Sequence, residues 1–237
     1  MDLKDKIMVI TGASSGIGRA TARRLNQAGV KFVLNARSKD RLEGLAAELD
    51  SAVCVVGDMI DPETPQQILD KAFSEFGRVD IVFNNAGVMQ IGTIDEADIE
   101  LLCEMVRLNF ESVVRMSYLA LRPMKKQGSG FLINSSSLAG LKAFPEIGAY
   151  NGTKFAVEAL TDSLRMELAG TGVKVTAIEP GRTKTELFNH WPEEKKFKPE
   201  NGLIEADDIA RCIEFILVQP QEVLIPRLLV VPARQER

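Results

Sequence analysis

Residues 7–28 constrain the fold of this chain more than any other stretch. Ile7, Met8, Val9 and Ile10 form an unbroken apolar run, read as a buried strand. Thr11-Gly-Ala-Ser-Ser-Gly-Ile-Gly18 follows at once, and Arg19 to Ala28 then carries helical periodicity. In a strand–turn–helix context the glycines allow a tight turn and a close approach of a diphosphate. The helix start points free N–H groups and a positive dipole end at the same place. The spacing is Gly-x-x-x-Gly-x-Gly. Gly18 is followed by Arg19 and Ala20, so the turn lacks the lysine and hydroxyl of a nucleoside-triphosphate loop. Gly12, Ser14, Ser15, Gly16, Ile17 and Gly18 are therefore the candidate phosphate cradle.

The pattern repeats downstream. Strands are expected at Lys31–Ala36, Ala52–Val56, Val79–Phe83, Gly130–Asn134, Val173–Glu179 and Leu228–Val231. Helices are expected at Arg41–Leu49, Thr64–Phe76, Ile99–Lys126, Ala149–Leu168 and Glu205–Val218. Apolar strands alternating with helices predict an α/β fold: one doubly wound parallel sheet of about seven strands with helices on both faces. No composition shift divides residues 1–237, so one dinucleotide-binding and catalytic domain is expected. The polar stretch 183–202 reads as a long connection that acts as a substrate lid.

Composition narrows the function. The chain has 237 residues, 45% hydrophobic and 26% charged, which suits a soluble globular protein. A net charge of −4 with mixed signs argues against a nucleic-acid surface. No apolar run approaches the roughly 20 residues of a membrane span, and the first residues lack a signal-peptide pattern. Cys54, Cys103 and Cys212 are far apart and read as reduced thiols, with no disulfide framework and no metal site. A cytoplasmic location is expected.

The ends of the strands suggest a cofactor. An acid after the second strand would hold the ribose 2′-hydroxyl of NAD, whereas an arginine suits the extra phosphate of NADP. Here the residues are Ala36-Arg37-Ser38-Lys39, which favours NADP(H) over NAD(H). Asp58 follows the third strand, placed to meet an adenine amino group or to cap a helix. Asn84-Asn85-Ala86-Gly87 closes the fourth strand with small and amide residues, suited to a crevice floor or to a plain turn.

Tyr150-Asn-Gly-Thr-Lys154 supplies a possible chemistry. In a helix it sets a phenol and an ammonium on one face, one turn apart. A neighbouring ammonium stabilises a phenolate and lowers its pKa. A drop of ~2–3 units is roughly 3–4 kcal/mol and would bring the tyrosine into acid–base range. Asn109, inside the long helical pattern, is a poor mid-helix residue: it either has a local reason, such as a kink, a bound water or a contact to Lys154, or is a tolerated surface asparagine.

With Gly12, Gly16 and Gly18, then Asn84 to Gly87, then Ser137, Tyr150 and Lys154 in this order, the sequence resembles the short-chain dehydrogenase/reductase family over essentially its whole length. The resemblance implies a Rossmann-type fold and hydride transfer between NADP(H) and a carbonyl or secondary alcohol. It implies Tyr150 as general acid–base, with Lys154 depressing its pKa and holding ribose hydroxyls. Ser137, thirteen positions before Tyr150, would polarise the substrate oxygen, and Asn109 would hold a water linking Lys154 to solvent. Asn85, Ala86, Gly87, Pro180 and Gly181 would flank the cofactor, with Thr183 and Thr185 near the carboxamide. A homodimer or homotetramer is implied. The ending Val223 to Gln235 departs from the glycine-rich ending of many members and is similar to a branch of NADP-dependent carbonyl reductases and 3-hydroxy-acid dehydrogenases. Met59 stands where a valine usually follows the aspartate.

His190 is the only histidine and lies in a polar loop. No Gly-x-Ser-x-Gly elbow accompanies it, so a serine hydrolase is a remote reading and His190 reads as a surface or lid residue. A non-catalytic NADP(H) sensor remains the rival. Leu187, Phe188, Trp191 and Phe197 in the 185–200 loop suggest an apolar or aromatic substrate, beside walls expected from Ser136–Leu138 and Phe144–Gly148.

Overall fold

The computed structural model describes residues 2–196 and 202–235. Its first half contains β1 (Ile7–Thr11), α1 (Gly16–Asn26), β2 (Lys31–Ala36), α2 (Lys39–Ala46), β3 (Ala52–Val56), α3 (Thr64–Phe76) and β4 (Ile81–Asn84). The second half contains α4 (Ile99–Val106), α5 (Ser112–Gln127), β5 (Gly130–Ser135), α6 (Gly148–Glu167) and β6 (Val173–Pro180). Then come β7 (Thr183–Lys184), β8 (Ile204–Glu205), α7 (Ala206–Leu217) and β9 (Arg227–Val230).

Seven strands form one sheet in the order β3-β2-β1-β4-β5-β6-β9, every pair parallel. The interior strands are mostly apolar because both faces are covered, with Asn35, Asn134, Thr176 and Glu179 among the buried polar exceptions. On β1, Met8 and Ile10 face one core with Leu25 of α1, Leu45 of α2 and Ile213 of α7. Ile7 and Val9 alternate to the other face, against Ile68 of α3, Met116 of α5 and Leu164 of α6. The edge strand β3 is only half-buried. The chain runs outward from β1 to β3, then returns to place β4 on the other side of β1. At such a reversal the strand ends diverge and leave a crevice at their carboxyl edge. The glycine turn after β1 and Asn85 after β4 sit there.

The expected long helix is interrupted. Between α4 and α5 the chain makes a π-helical turn over Arg107–Glu111, and Asn109 lies inside it. This supplies the local reason for a mid-helix asparagine. The turn widens the helix by one residue, and the amide is spent on the neighbouring chain. The expected open connection at 183–202 is also partly ordered: β7 pairs in parallel with β8 as a separate ribbon. Short 3₁₀ turns cover Glu186–Phe188 and Glu193–Lys195. Residues 197–201, which include Phe197 of the expected lid, lie outside the described residues. Among the described residues no helix is long and apolar enough to cross a membrane.

Candidate active site

A cleft of about 1020 Å³ runs along the carboxyl edge of the sheet, from Arg37 and Asp58 past the glycine turn to Tyr150. At its centre Gly12 has φ +64°, and a Cβ there would stand 2.8 Å from Ala86 Cα. A Cβ on Gly18 would lie 2.7 Å from Gly12 O. The close packing is held by Asn85. Its amide donates to the carbonyls of Thr11 and Gly12 at 3.0 and 3.1 Å. Its backbone N–H donates to Thr11 Oγ1 at 3.0 Å. Asn84 instead ties β4 to β5 and α5, through Asn134 Oδ1 at 2.9 Å and Ser117 Oγ at 3.1 Å.

The start of α1 fits a diphosphate. Ser15, its N-cap, makes no side-chain capping bond, and no acid sits in the first turn. The first-turn N–H groups thus keep their donors and the positive end of the helix for an external anion. Ser14, Gly16 and Ile17 line the same wall. Thr185 packs over Gly16, with its Cγ2 3.1 Å from where a Cβ would be. Thr185 is therefore over the glycine turn as well as the N-cap of the Glu186–Phe188 turn. Thr183 is buried and donates to Gly181 O at 3.1 Å.

At the far end, Arg37 and Ser38 line the cleft after the buried Ala36. Arg37 lies 3.6 Å from Asp58, and both are exposed. Asp58 also accepts a bond from Ile60 N at 3.0 Å, so it stabilises its own turn; α3 starts later, at Thr64. Arg41, a further cation on α2, reaches across the cleft to Glu186, with Nη1 to Oε2 at 2.8 Å. No local pattern in the sequence marks it, because its partner lies 145 positions away.

Tyr150 and Lys154 are each only 6% exposed at the other end. They share a face of α6: Lys154 Nζ lies 5.6 Å from the Tyr150 ring centroid and donates to Ser135 O at 2.7 Å. The expected depression of the phenol pKa is not what this packing produces. Burial pushes Tyr150 up to about 12, and the hydrogen bond with Ser137 opposes this only in part. Burial also pulls Lys154 down to about 8, against the pull of the Glu158 carboxylate. Desolvation outweighs the Ser137 hydrogen bond for Tyr150 and the Glu158 charge for Lys154.

Ser137 caps the short turn at Leu138–Gly140 by accepting from Ala139 N at 3.1 Å. Its hydroxyl also reaches Pro180 O at 3.5 Å. Asn109 does not hydrogen-bond Lys154. It brackets Val88, accepting from Val88 N at 2.9 Å and donating to Val88 O at 2.8 Å, and reaches Thr153 Oγ1 at 3.5 Å. It thereby fixes the segment after Gly87 as a cleft wall. Gly181 is closed from behind by the end of the chain. Gln235 accepts from Arg182 N at 2.9 Å and lines the cleft, a contact with no local sequence signal.

Beside Tyr150 the wall turns apolar: Met89, Met105, Ile147, Phe144, Phe188 and Trp191 cluster with it. Trp191 is buried and stacks edge-on against Phe188 at 5.0 Å. The ring nitrogens of His190 and Trp191 both meet Met89 O at 3.0 Å. His190 thus lies on the cleft rim, exposed at its surface. Among the described residues no group of three or more His, Cys, Asp or Glu is placed to hold a metal.

Comparison with known proteins agrees with this geometry. The chain is 35% identical to an uncharacterized oxidoreductase of Staphylococcus saprophyticus, covering 99% of this chain and 98% of that one. An alcohol dehydrogenase from the archaeon Thermococcus sibiricus, complexed with 5-hydroxy-NADP, superimposes with a TM-score of 0.90 at 30% identity, covering 99% of each chain. A 3-ketoacyl-(acyl-carrier-protein) reductase from Brucella melitensis, complexed with NADH, gives 0.90 at 29% identity over 99% of this chain and 100% of that one. Residues 6–196 match the short chain dehydrogenase family, and this chain belongs to that family of oxidoreductases.

Proposed function

We propose that the protein is an NADP-dependent reductase of ketones or aldehydes with an apolar or aromatic body. The observation that carries this reading is the pairing of buried Tyr150 and Lys154, 5.6 Å apart from ring to ammonium, at the end of a cleft that begins at a free helix N-terminus. When bound, the nicotinamide would supply or accept the hydride at its C4. Gly12 to Gly18 would hold the diphosphate, and Asn85, Ala86, Gly87, Pro180, Gly181, Thr183 and Thr185 the rest of the dinucleotide. Arg37, with Arg41 behind it, favours the 2′-phosphate, since β2 ends without an acid. A bidentate or paired arginine contact to phosphate is also a strong one.

Burial, which pushes the Tyr150 pKa up to about 12, keeps the phenol in its protonated form. The phenol stays protonated at neutral pH and can deliver its proton to a carbonyl oxygen that gains charge. Ser137 donates a second hydrogen bond to that oxygen. Lys154, still cationic below its pKa of about 8, stabilises the phenolate left behind and holds the ribose hydroxyls. Asn109 and the Val88 backbone would order a water between Lys154 and solvent. The apolar wall around Phe144, Ile147 and Trp191 excludes water and receives the substrate body, and residues 183–202 act as the lid. Exposed Leu101, Val106, Tyr118 and Phe155 on α4, α5 and α6 support a homodimer or homotetramer. A cytoplasmic location fits this activity.

The test is NADPH oxidation with a panel of ketones, diketones and semialdehydes. Tyr150→Phe should lose at least ~10²-fold in kcat while keeping NADPH affinity. Near-normal turnover by that variant contradicts the role given to Tyr150. Tight NADPH binding without turnover of any carbonyl would favour a sensor.

A further inference from the structure

Behind Lys154 lies a buried acidic pair that the mechanism above leaves unused. Glu158 is one turn beyond Lys154 on α6, on the same face, and is 4% exposed. Glu179, near the end of β6 and next to Pro180, is 2% exposed. The two carboxyls interact directly with each other. Both oxygens of Glu158, Oε1 of Glu179 and the facing hydroxyl of Ser136 are buried without a well-formed hydrogen bond. The charged groups around them are few. Lys154, Asp162 and Arg165 come from α6, where Arg165 lies 3.5 Å from Asp162, and Arg227 comes from the start of β9. Arg227 Nε lies 3.4 Å from Glu158 Oε2, its guanidinium also pairs with Asp162, and its side chain is 39% exposed. Both guanidiniums pair with Asp162 at the part-exposed rim, and among the described residues Glu179 has no ion pair of its own, so the dry interior holds two facing carboxyls. Two facing carboxyls in that position cannot both stay ionised cheaply.

We propose that Glu158 and Glu179 share a single proton, and that the one remaining negative charge, carried on Glu158, is the counter-ion that keeps Lys154 cationic beside Tyr150. Arg227 links this pair to solvent at the sheet edge, on the side of Lys154 away from the cleft. The pair therefore acts through Lys154 and makes both acids positioning residues. The link to Lys154 rests on the reading of Tyr150 and Lys154 given above; the shared proton does not.

The directions of titration agree. Burial, then the Glu158 charge, pushes Glu179 up to about 7. Burial pushes Glu158 up as well. The Glu158 charge in turn raises Lys154 against its own burial. For an acid whose folded pKa is raised, the stabilising contribution is complete below its unfolded pKa. It is lost as pH rises through the folded value.

Two measurements on the parent, Glu158→Gln, Glu179→Gln and the double variant test this. The first is the unfolding midpoint against pH with no ligand added. The stability of Glu179→Gln relative to the parent should rise from about pH 5 to about pH 8, because the variant no longer loses the proton. A difference that stays constant over that range overturns the shared proton. The second is the alkaline limb of kcat/KM for carbonyl reduction with NADPH. Glu158→Gln should move that limb about one unit to lower pH, because Lys154 loses its counter-charge. Glu179→Gln should move it far less, and the double variant should behave as Glu158→Gln. A Glu158→Gln limb superimposed on that of the parent overturns the link to Lys154. If the parent reduces no carbonyl, the catalytic reading falls together with that link, and the unfolding measurement still decides the shared proton.

Discussion

The centre of the cleft and its Tyr150 end are built by different means. The centre, at the glycine turn, is made of backbone. Gly12, Gly18, Ala86 and Thr11 come close through main-chain atoms, locked by the Asn85 amide, at the ends of β1 and β4 and the start of α1. The Tyr150 end is made of side chains drawn from α4, the segment after β4, the turn before α6 and the 183–196 flap. That flap is fastened by side chains as well, those of His190 and Trp191 to one carbonyl, Glu186 to Arg41 and Lys195 to Glu146. A wall of backbone tolerates almost no substitution. A wall of side chains can be remade residue by residue, and this is where relatives of one fold can diverge in substrate.

That contrast can be broken most severely at the glycine turn. Gly12→Ala forces a positive φ and a backbone clash against Ala86. The combined cost should be ~2–4 kcal/mol, read as a fall in unfolding midpoint together with loss of NADPH binding. A midpoint equal to that of the parent would mean the turn relaxes freely and the contrast is false. Next in size is Arg37→Glu, which should weaken NADPH binding by roughly 10–100-fold and spare NADH, the equivalent of one charge-assisted contact. Equal effects on both cofactors would detach Arg37 from the 2′-phosphate. The smallest effect is expected at the soft end. Trp191→Phe keeps the packing and removes the bond to Met89 O, so KM for the carbonyl should rise about 3–10-fold with kcat unchanged. A change in kcat instead would make the flap part of the chemistry.

The same division explains what could be read in the sequence. The sheet and its crevice were legible because buried parallel strands appear as mostly apolar runs and because glycine leaves a signature where a backbone must pass close. Tyr150 and Lys154 were legible because helical spacing alone puts them on one face. Their proton affinities were not, since burial decides the pKa of each and burial is a property of the assembled wall. The role of Asn109 was half legible: a mid-helix asparagine calls for a local cause, but the cause is Val88, twenty-one positions earlier. Arg41 with Glu186 and Gln235 with Arg182 are contacts across more than fifty positions, and no local pattern announces them. The opposition of Glu158 and Glu179 depends on α6 packing on β6, which no spacing reports.

The extra residue at Arg107–Glu111 has a further consequence. A single inserted residue rotates everything after it by about 100° around the helix axis. Upstream of the insertion, Leu102 and Met105 pack into the apolar cluster around Tyr150 and Trp191; downstream, Met116 and Ala120 look at the sheet. One continuous rod in the ordinary phase could not serve both surfaces. The insertion therefore uncouples the two, so that replacements along α4 can repack the layer behind Tyr150 while the phase that seats α5 on the strands is left untouched.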